Sequence, residues 1–461
     1  MELRVLEQGE GIWADMREQS ALRASAREPI RSGPMDDSPS SSSAAAFELD
    51  GVRDIVVIAS SSRSGSTLVA EILRRSASYL HISGEINPFL RMAGLVWPRS
   101  GTDSDALVFE SAAPAALARL RAELAREIRI AQRESELAFL EDDYLERLHR
   151  RLSMQWPLES ISFDVVRGAA EYSVRRLPRD SSAADSCVMH FHLKFLLHLR
   201  RHVPAVNPYY YDVDRTLLQV IAPDIAVPRG APSSVIVEEP PFVLIAPSRR
   251  PRADDLAERT LVIKTPSNAY RLDFIRKLFP NARLRILHLM RNPAAAINGL
   301  IDGWNHWGFH SHRIGELLCI ENYMPARPED RSWWKFDLPP GWRDYCNARL
   351  EQVCAFQWSA AHEAIDDYVQ ESGVECLRLR FEDLLNGFNR NSTQFAELCE
   401  WLGNDSIPPG LPQSFPTTMA THPPQPRRWT QRADILAPVL ALPQTRRCIE
   451  RLGYADQSCW I

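Results

Sequence analysis

The first strong pattern in the chain is the run Ile55-Val56-Val57-Ile58-Ala59. Short, apolar and β-branched, it reads as a strand buried on both faces, as in a parallel sheet. A Ser- and Gly-rich loop follows from Ser60 to Ser66. After it, Thr67-Leu68-Val69-Ala70-Glu71-Ile72-Leu73 has the spacing of an amphipathic helix. Strand, small-residue loop and helix make the opening half of a nucleotide-binding α/β unit. Residues 114–155 place Ala, Leu, Arg and Glu at helical spacing and predict helix; 187–203 predict another. The stretch 226–252, rich in Pro, Arg and Ser, predicts a long loop.

The α/β alternation then resumes. Leu261 to Lys264 is a short strand, and Leu272, Ile275, Leu278 and Phe279 mark one face of a helix that Pro280-Asn281 breaks. Arg283 to Met290 is a strand, and Asn292-Pro293 turns the chain into the next helix. Val353 to Val369 is helical, Cys376 to Arg380 is a strand, and Phe381-Glu382-Asp383-Leu384-Leu385 opens a further element. A Pro-rich loop at 406–426 precedes a terminal helix ending near Gly453. The expected fold is α/β: a parallel sheet flanked by helices, with a phosphate-binding loop and a large, mostly helical insertion at about 95–255. One domain would span 51–461. Residues 1–50, with a Ser/Ala run from Ser38 to Ala46, bury too little apolar surface to offset their ordering entropy and are expected to form a disordered tail.

Composition narrows the functional classes. A hydrophobic fraction of 45% supports a sizeable core, and a net charge of −5 gives no sign of a nucleic-acid coat or a polybasic membrane anchor while leaving room for a local basic pocket for an anionic ligand. The eight cysteines include no Cys-x-x-Cys pair, which argues against a zinc site or disulfide framework and for a reducing compartment. The start, Met-Glu-Leu-Arg, is not a secretory signal, and no apolar run approaches the roughly 18–20 residues of a membrane span. A cytoplasmic location is expected.

Four segments carry candidate chemistry. In Ser60-Ser61-Ser62-Arg63-Ser64-Gly65-Ser66-Thr67, a helix N-terminus offers free N–H groups to a phosphate, Gly65 permits close backbone approach, and Ser66 and Thr67 add hydroxyl donors. Arg63 adds a bidentate cation. The loop lacks the Gly-Lys-[Ser/Thr] ending of a nucleoside-triphosphate P-loop. The strand ending in Met290-Arg291-Asn292-Pro293 delivers Arg291 where open α/β sheets place their ligands. In Lys264-Thr265-Pro266, the proline stops strand pairing, so Lys264 sits where the strand leaves the sheet. Gly84-Glu85-Ile86-Asn87-Pro88 places a carboxylate within reach of the same cleft.

Together these segments resemble the sulfotransferases that use 3′-phosphoadenosine 5′-phosphosulfate (PAPS). Arg63-Ser64-Gly65-Ser66-Thr67 is similar to the family's 5′-phosphosulfate loop, and Arg291-Asn292-Pro293 to the start of its 3′-phosphate motif. Lys264-Thr265-Pro266 and residues 279–283 resemble the segment upstream of that motif. Cys376 to Leu385 resembles its strand followed by Glu-Asp-Leu. Gly84-Glu85 resembles the acid that serves as base in the tyrosylprotein-type and bacterial members. Arg427-Arg428-Trp429 and Leu452-Gly453-Tyr454 resemble its C-terminal end. The likeness covers 55–90, 260–305, 350–390 and 425–455. One position departs: where the 3′-phosphate motif carries a serine, this chain has Gly299, preceded by Asn298.

The resemblance implies a co-substrate, PAPS, and a hydroxyl-bearing acceptor, a small molecule or carbohydrate, with no metal. Residues Arg63, Ser64, Gly65, Ser66 and Thr67 would hold the 5′-phosphosulfate. Arg291, with Asn298 and one of Arg427 or Arg428, would hold the 3′-phosphate. Lys264 and Arg63 would stabilise charge on the leaving oxygen, and Glu85, as a buried carboxylate with a raised pKa, would take the acceptor's proton. The alternatives are a P-loop kinase using ATP, disfavoured by the missing loop lysine, and a non-catalytic nucleotide-binding protein.

Other polar groups read more plainly. His190, Lys194, His198 and His202 recur every four residues and form a polar helix stripe. His306, His310 and His312 lie near Trp304 and Trp307 and could line a pocket. Glu238-Glu239-Pro240-Pro241 reads as a charged loop. Asp302 reads equally as an acid supporting the site or as an ordinary helix residue.

Overall fold

The structure is a computed structural model and describes residues 49–132, 138–177, 184–324, 331–387, 393–403 and 418–460. Most of the expected tail, residues 1–48, and part of the Pro-rich loop, 404–417, lie outside the described residues. Leu49, expected in the tail, is packed in the core.

The chain opens with β1 (Asp54–Ala59), α1 (Ser66–Arg74), β2 (Tyr79–Ile82) and α2 (Asn87–Ala93). The next segment contributes α3 (Pro114–Glu127), β3 (Ile128–Ala131), α4 (Asp142–Gln155), α5 (Phe163–Val174), α6 (Ala184–Leu199), α7 (Arg215–Ile221), β4 (Ser248–Arg249) and α8 (Ala253–Glu258). Then come β5 (Thr260–Lys264), α9 (Leu272–Leu278), β6 (Arg283–Met290), α10 (Pro293–Trp304) and a small hairpin of β7 (His310–Arg313) and β8 (Trp333–Lys335). Helix α11 (Leu350–Ser372), β9 (Cys376–Arg380), α12 (Phe381–Gly387), α13 (Thr393–Trp401), α14 (Ala433–Leu440) and α15 (Pro443–Arg451) complete the described elements.

Seven strands form the main sheet in the order β4-β3-β2-β5-β1-β6-β9. The pairs β1–β5, β1–β6, β2–β5 and β6–β9 are parallel, and β3 and β4 add antiparallel pairs at one edge. Helices flank this mostly parallel sheet, so the expected α/β class is the one observed. Strand β1 sits centrally because its five apolar residues have almost no exposed surface. A strand rich in Val and Ile is stable there only when both faces are covered.

Two local readings change. Residues 114–155 are not one helical stretch: Ile128-Arg129-Ile130 alternates and joins the sheet edge as β3. Likewise the 226–252 loop ends in β4, which pairs with β3. The segment holding α4 to α7 has its own aromatic core, in which Phe191 stacks on Phe139 and Trp156 packs against Phe242.

Buried polar networks fix the elements near the parallel strands' C-terminal ends. The Asp105 carboxylate accepts from the Arg271 guanidinium at 2.7 Å and from the Ser267 hydroxyl at 2.7 Å, and both charged side chains are almost wholly buried. Arg271 also donates to the Asn87 side chain at 2.7 Å. Burial raises the carboxyl's pKa, but the Arg271 charge, His312 and the Leu338 amide outweigh it and hold it well below the usual range. Removing one partner of such a pair strands a buried charge. Asp105→Ala is therefore expected to destabilise the fold by about 3–5 kcal/mol, read as a fall in the denaturant midpoint at unchanged slope.

Candidate functional site

Because β1, β2, β5, β6 and β9 run parallel, their C-terminal ends face one side of the sheet. That edge carries the loop 60–66 after β1, Gly84-Glu85 after β2, Lys264 at the end of β5, Arg291 after β6 and Phe381 after β9. Together they line a cavity of about 690 Å³.

The loop leads into α1 through Gly65, whose φ of +92° lies in the left-handed region. A Cβ at Gly65 would meet the Phe381 ring at 2.3 Å, so only glycine lets the loop pass beneath that ring. Ser66 and Thr67 open α1 and line the cavity. Ser64 does not: it is fully buried and bonded to Ser61 at 2.6 Å.

Arg63 also has positive φ, +67°. A left-handed backbone at a non-glycine residue costs about 1–2 kcal/mol and persists only where its surroundings enforce it. Here the Arg291 guanidinium donates to the Arg63 carbonyl at 3.0 Å. Arg63 in turn donates to the Met419 carbonyl at 2.8 Å and lies over the Phe309 ring at 5.2 Å. Its Nε is buried with no hydrogen-bond partner. Arg63 is half-buried and lines the cavity; burial, and then the Arg291 charge, lower its pKa to about 10. Burial likewise lowers that of Arg291, which stacks over Phe381 at 5.1 Å. Two like charges share this corner, so an anion here gains electrostatic stabilisation.

Arg291 is positioned from behind. Asn292 caps α10 by accepting from the Ala295 amide at 2.8 Å. Glu382 accepts from both the amide and side-chain nitrogen of Asn292 at 2.9 Å, and from the Tyr454 hydroxyl at 2.8 Å. The Glu-Asp-Leu segment after β9 thus joins the Arg291 turn to the C-terminal segment.

Lys264 and Glu85 meet because β2 and β5 are neighbours, and the Ile86 amide donates to the Thr265 hydroxyl at 3.0 Å. The Lys264 ammonium donates to Glu85 at 2.6 Å. The expectation of a buried Glu85 is corrected: its side chain is 32% exposed, towards the cavity, whereas Lys264 is buried.

The C-terminal arginines reach the same cavity. Arg427 and Arg428 line the cavity, but Arg428 is bonded to the Asp302 carboxylate. Arg432, which the motif reading missed, donates to Asp302 at 2.6 Å and to Asn298 at 2.7 Å. Asn298 thus spends its oxygen on Arg432 and keeps its amide nitrogen for other partners. Asp302 is buried and gathers both arginines. At Gly299 a Cβ would lie 3.3 Å from the Arg63 Cβ, a tight contact that a serine could relieve only by a small shift of the Arg63 side chain.

Glu238-Glu239 is not a solvated loop. Glu238 is buried against Arg151 and Gln155, and burial raises its pKa. Glu239 is held by Arg91 and by the Ser311 hydroxyl at 2.5 Å. Both line the cavity. Trp304 belongs to the core and donates to Gln357 at 2.8 Å; Trp307, His306, His310 and His312 lie outside the cavity lining. On α6, His198 stacks against Tyr172 at 4.2 Å. Among the described residues, no cluster of three or more His, Cys, Asp or Glu is placed to hold a metal, and no helix is long and apolar enough to cross a membrane.

Sequence reasoning also missed Asp337, a buried cavity-lining carboxylate, and Asp212, which accepts from the Thr418 hydroxyl at 2.6 Å and the Met419 amide at 2.9 Å. Both lie in segments without periodicity or motif, so only the fold could reveal them.

A model of the sulfotransferase family matches residues 55–324. The chain belongs to that family. No curated protein matches it. Among solved structures, it is similar to the sulfotransferase domain from the curacin biosynthetic pathway, at 13% identity over 87% of this chain and 98% of that one, TM-score 0.35. It is also similar to the sulfotransferase domain from the Synechococcus PCC 7002 olefin synthase, at 13% identity over 92% and 100%, TM-score 0.33. A third is sulfotransferase STF9 from Mycobacterium avium, at 12% identity over 89% and 79%, TM-score 0.31.

The Gly65–Phe381 contact yields a direct test within this sulfotransferase. Gly65→Ala adds both steric overlap and left-handed strain, a cost of about 2 kcal/mol or more. The expected result is a lower melting temperature and loss of anion binding, measured by calorimetry. A variant as stable as the parent would show that the loop does not run beneath Phe381.

Proposed function

We propose that this sulfotransferase takes its sulfuryl group from PAPS and delivers it to a hydroxyl of a small-molecule or carbohydrate acceptor. The observation that carries the reading is the convergence of Arg63, Arg291 and the α1 N-terminus on one cavity that also holds the Lys264–Glu85 pair. The residues present fit such a donor. The buried, unpartnered Nε of Arg63 is a donor waiting for an acceptor, and the Gly65 backbone leaves the amides at the start of α1 unobstructed.

The donor supplies a sulfuryl group on a good leaving group. The protein's part is positioning and charge stabilisation, as in phosphoryl transfer. The amides and hydroxyls of Ser66 and Thr67 hold the 5′ end together with Arg63. Arg291, the Asn298 amide nitrogen and Arg427 serve the 3′-phosphate; Arg428 contributes from its fixed place on Asp302. Lys264 neutralises charge gathering on the leaving oxygen. Glu85 accepts the acceptor's proton, its exposed face giving the acceptor access while Lys264 orients it.

Arg63→Ala is expected to abolish binding of adenosine 3′,5′-bisphosphate in calorimetric titration; unchanged affinity rejects the loop's role. Lys264→Ala is expected to slow turnover by about 10²-fold or more while nucleotide affinity holds. Glu85→Gln should also cut turnover and spare nucleotide affinity. Wild-type turnover in either variant removes that residue from the chemistry.

A further inference from the structure

Asp337 follows β8 and is fixed from several sides. Its carbonyl accepts from the Trp334 indole at 2.8 Å and from Gln357 of α11 at 2.8 Å. The preceding Phe336 has φ +64°, and its ring packs where a side chain at Gly303 of α10 would stand. With its backbone held, the carboxylate is buried in the cavity wall. One oxygen accepts from the Ser62 hydroxyl at 2.8 Å; the other accepts from the Tyr270 hydroxyl at 2.9 Å. Ser62 belongs to the loop after β1, and Tyr270 closes the short helix that follows Lys264-Thr265. One carboxylate therefore ties the loop carrying Arg63 to the segment carrying Lys264.

We propose that Asp337 is a positioning residue of the donor site: its carboxylate, acting through Ser62, fixes the anion-binding loop against the Lys264 segment. The proposal rests on the donor reading above. It requires the ionised form, because only a carboxylate accepts from two hydroxyls without donating. Burial, and Asp105 less strongly, push the Asp337 pKa up to about 6, against the opposing bonds from Ser62 and Tyr270. The surrounding charged groups are Asp105 with its partners Arg271 and His312, Glu363 across Tyr270, and Arg63 and Lys264 on the two tied segments. With the folded pKa raised, the lock is present above about 6 and opens as pH falls through that value.

The test is calorimetric titration of adenosine 3′,5′-bisphosphate into wild type, Asp337→Asn, Ser62→Ala and the double variant, from about pH 8 to about pH 5. Asp337→Asn is expected to bind about tenfold more weakly at the upper pH, the loss of one charge-assisted bond. That ratio should shrink towards one as pH falls, because the wild-type carboxyl becomes neutral; titration of the nucleotide's own phosphates is common to both proteins and cancels. In the Ser62→Ala background, Asp337→Asn should add little. Equal affinity at the upper pH, a pH-independent ratio, or fully additive losses would each overturn the proposal. Should Asp337→Asn fail to fold, Ser62→Ala carries the test, since the wild-type pH step must shrink there too. Wild type that fails to bind the nucleotide overturns the donor reading itself; tight wild-type binding with an unaffected Asp337→Asn overturns only the role of Asp337.

Discussion

Two guanidinium groups held side by side at the C-terminal edge of a parallel sheet are the constraint on which this structure turns. Arg291 donates to the backbone of Arg63, and burial together with the Arg291 charge lowers the Arg63 pKa. Gathering like charges where protein replaces most of their hydration is unfavourable unless an anion joins them. Asp302 and Asp212 offset the charge on Arg63 only in part, and neither carboxylate is hydrogen-bonded to it. The arrangement makes physical sense as a receptor for a ligand with negative charge of its own.

Much of the surrounding fold keeps that pair in place. Glu382 holds the turn behind Arg291, the Phe381 ring lies against both Gly65 and Arg291, and Met419 accepts from Arg63 while its own amide is held by Asp212. Asp302 of α10 does the same for Arg428 and Arg432. These contacts join residues hundreds of positions apart, so the site forms only when the sheet, the C-terminal segment and the segment between β2 and β5 are assembled together. The strained backbone of Arg63 is maintained by the same contacts.

The legible part of this fold was the part with local pattern. The β-branched run of β1, the Pro-ended strand at Lys264 and the Asn-Pro cap after Arg291 each declare their element through short-range chemistry, and the parallel sheet then brings their ends together. The 114–155 stretch misled because Ala- and Leu-rich helical spacing outweighed a three-residue alternation, Ile128 to Ile130, that only pairing with β2 converts into strand. Asp337 and Arg432 were invisible for a different reason. Nothing near Asp337 in the chain marks it, Arg432 lies just past the Arg427-Arg428-Trp429 motif, and their partners, Ser62, Tyr270 and Asp302, are brought to them by tertiary packing alone. Gly299 lies between these cases: its departure from the family pattern was plain, but the Arg63 side chain lying against it appears only in three dimensions.

The most direct measurement of the central claim is calorimetric titration of the purified protein with adenosine 3′,5′-bisphosphate in the presence of a metal chelator, alongside Mg²⁺–ATP. If the paired arginines and the α1 N-terminus form a receptor for both phosphate ends of one adenosine nucleotide, the bisphosphate binds saturably at one site per chain without metal, and Mg²⁺–ATP binds far more weakly. Absence of binding by the bisphosphate, with tight binding of Mg²⁺–ATP, would contradict it.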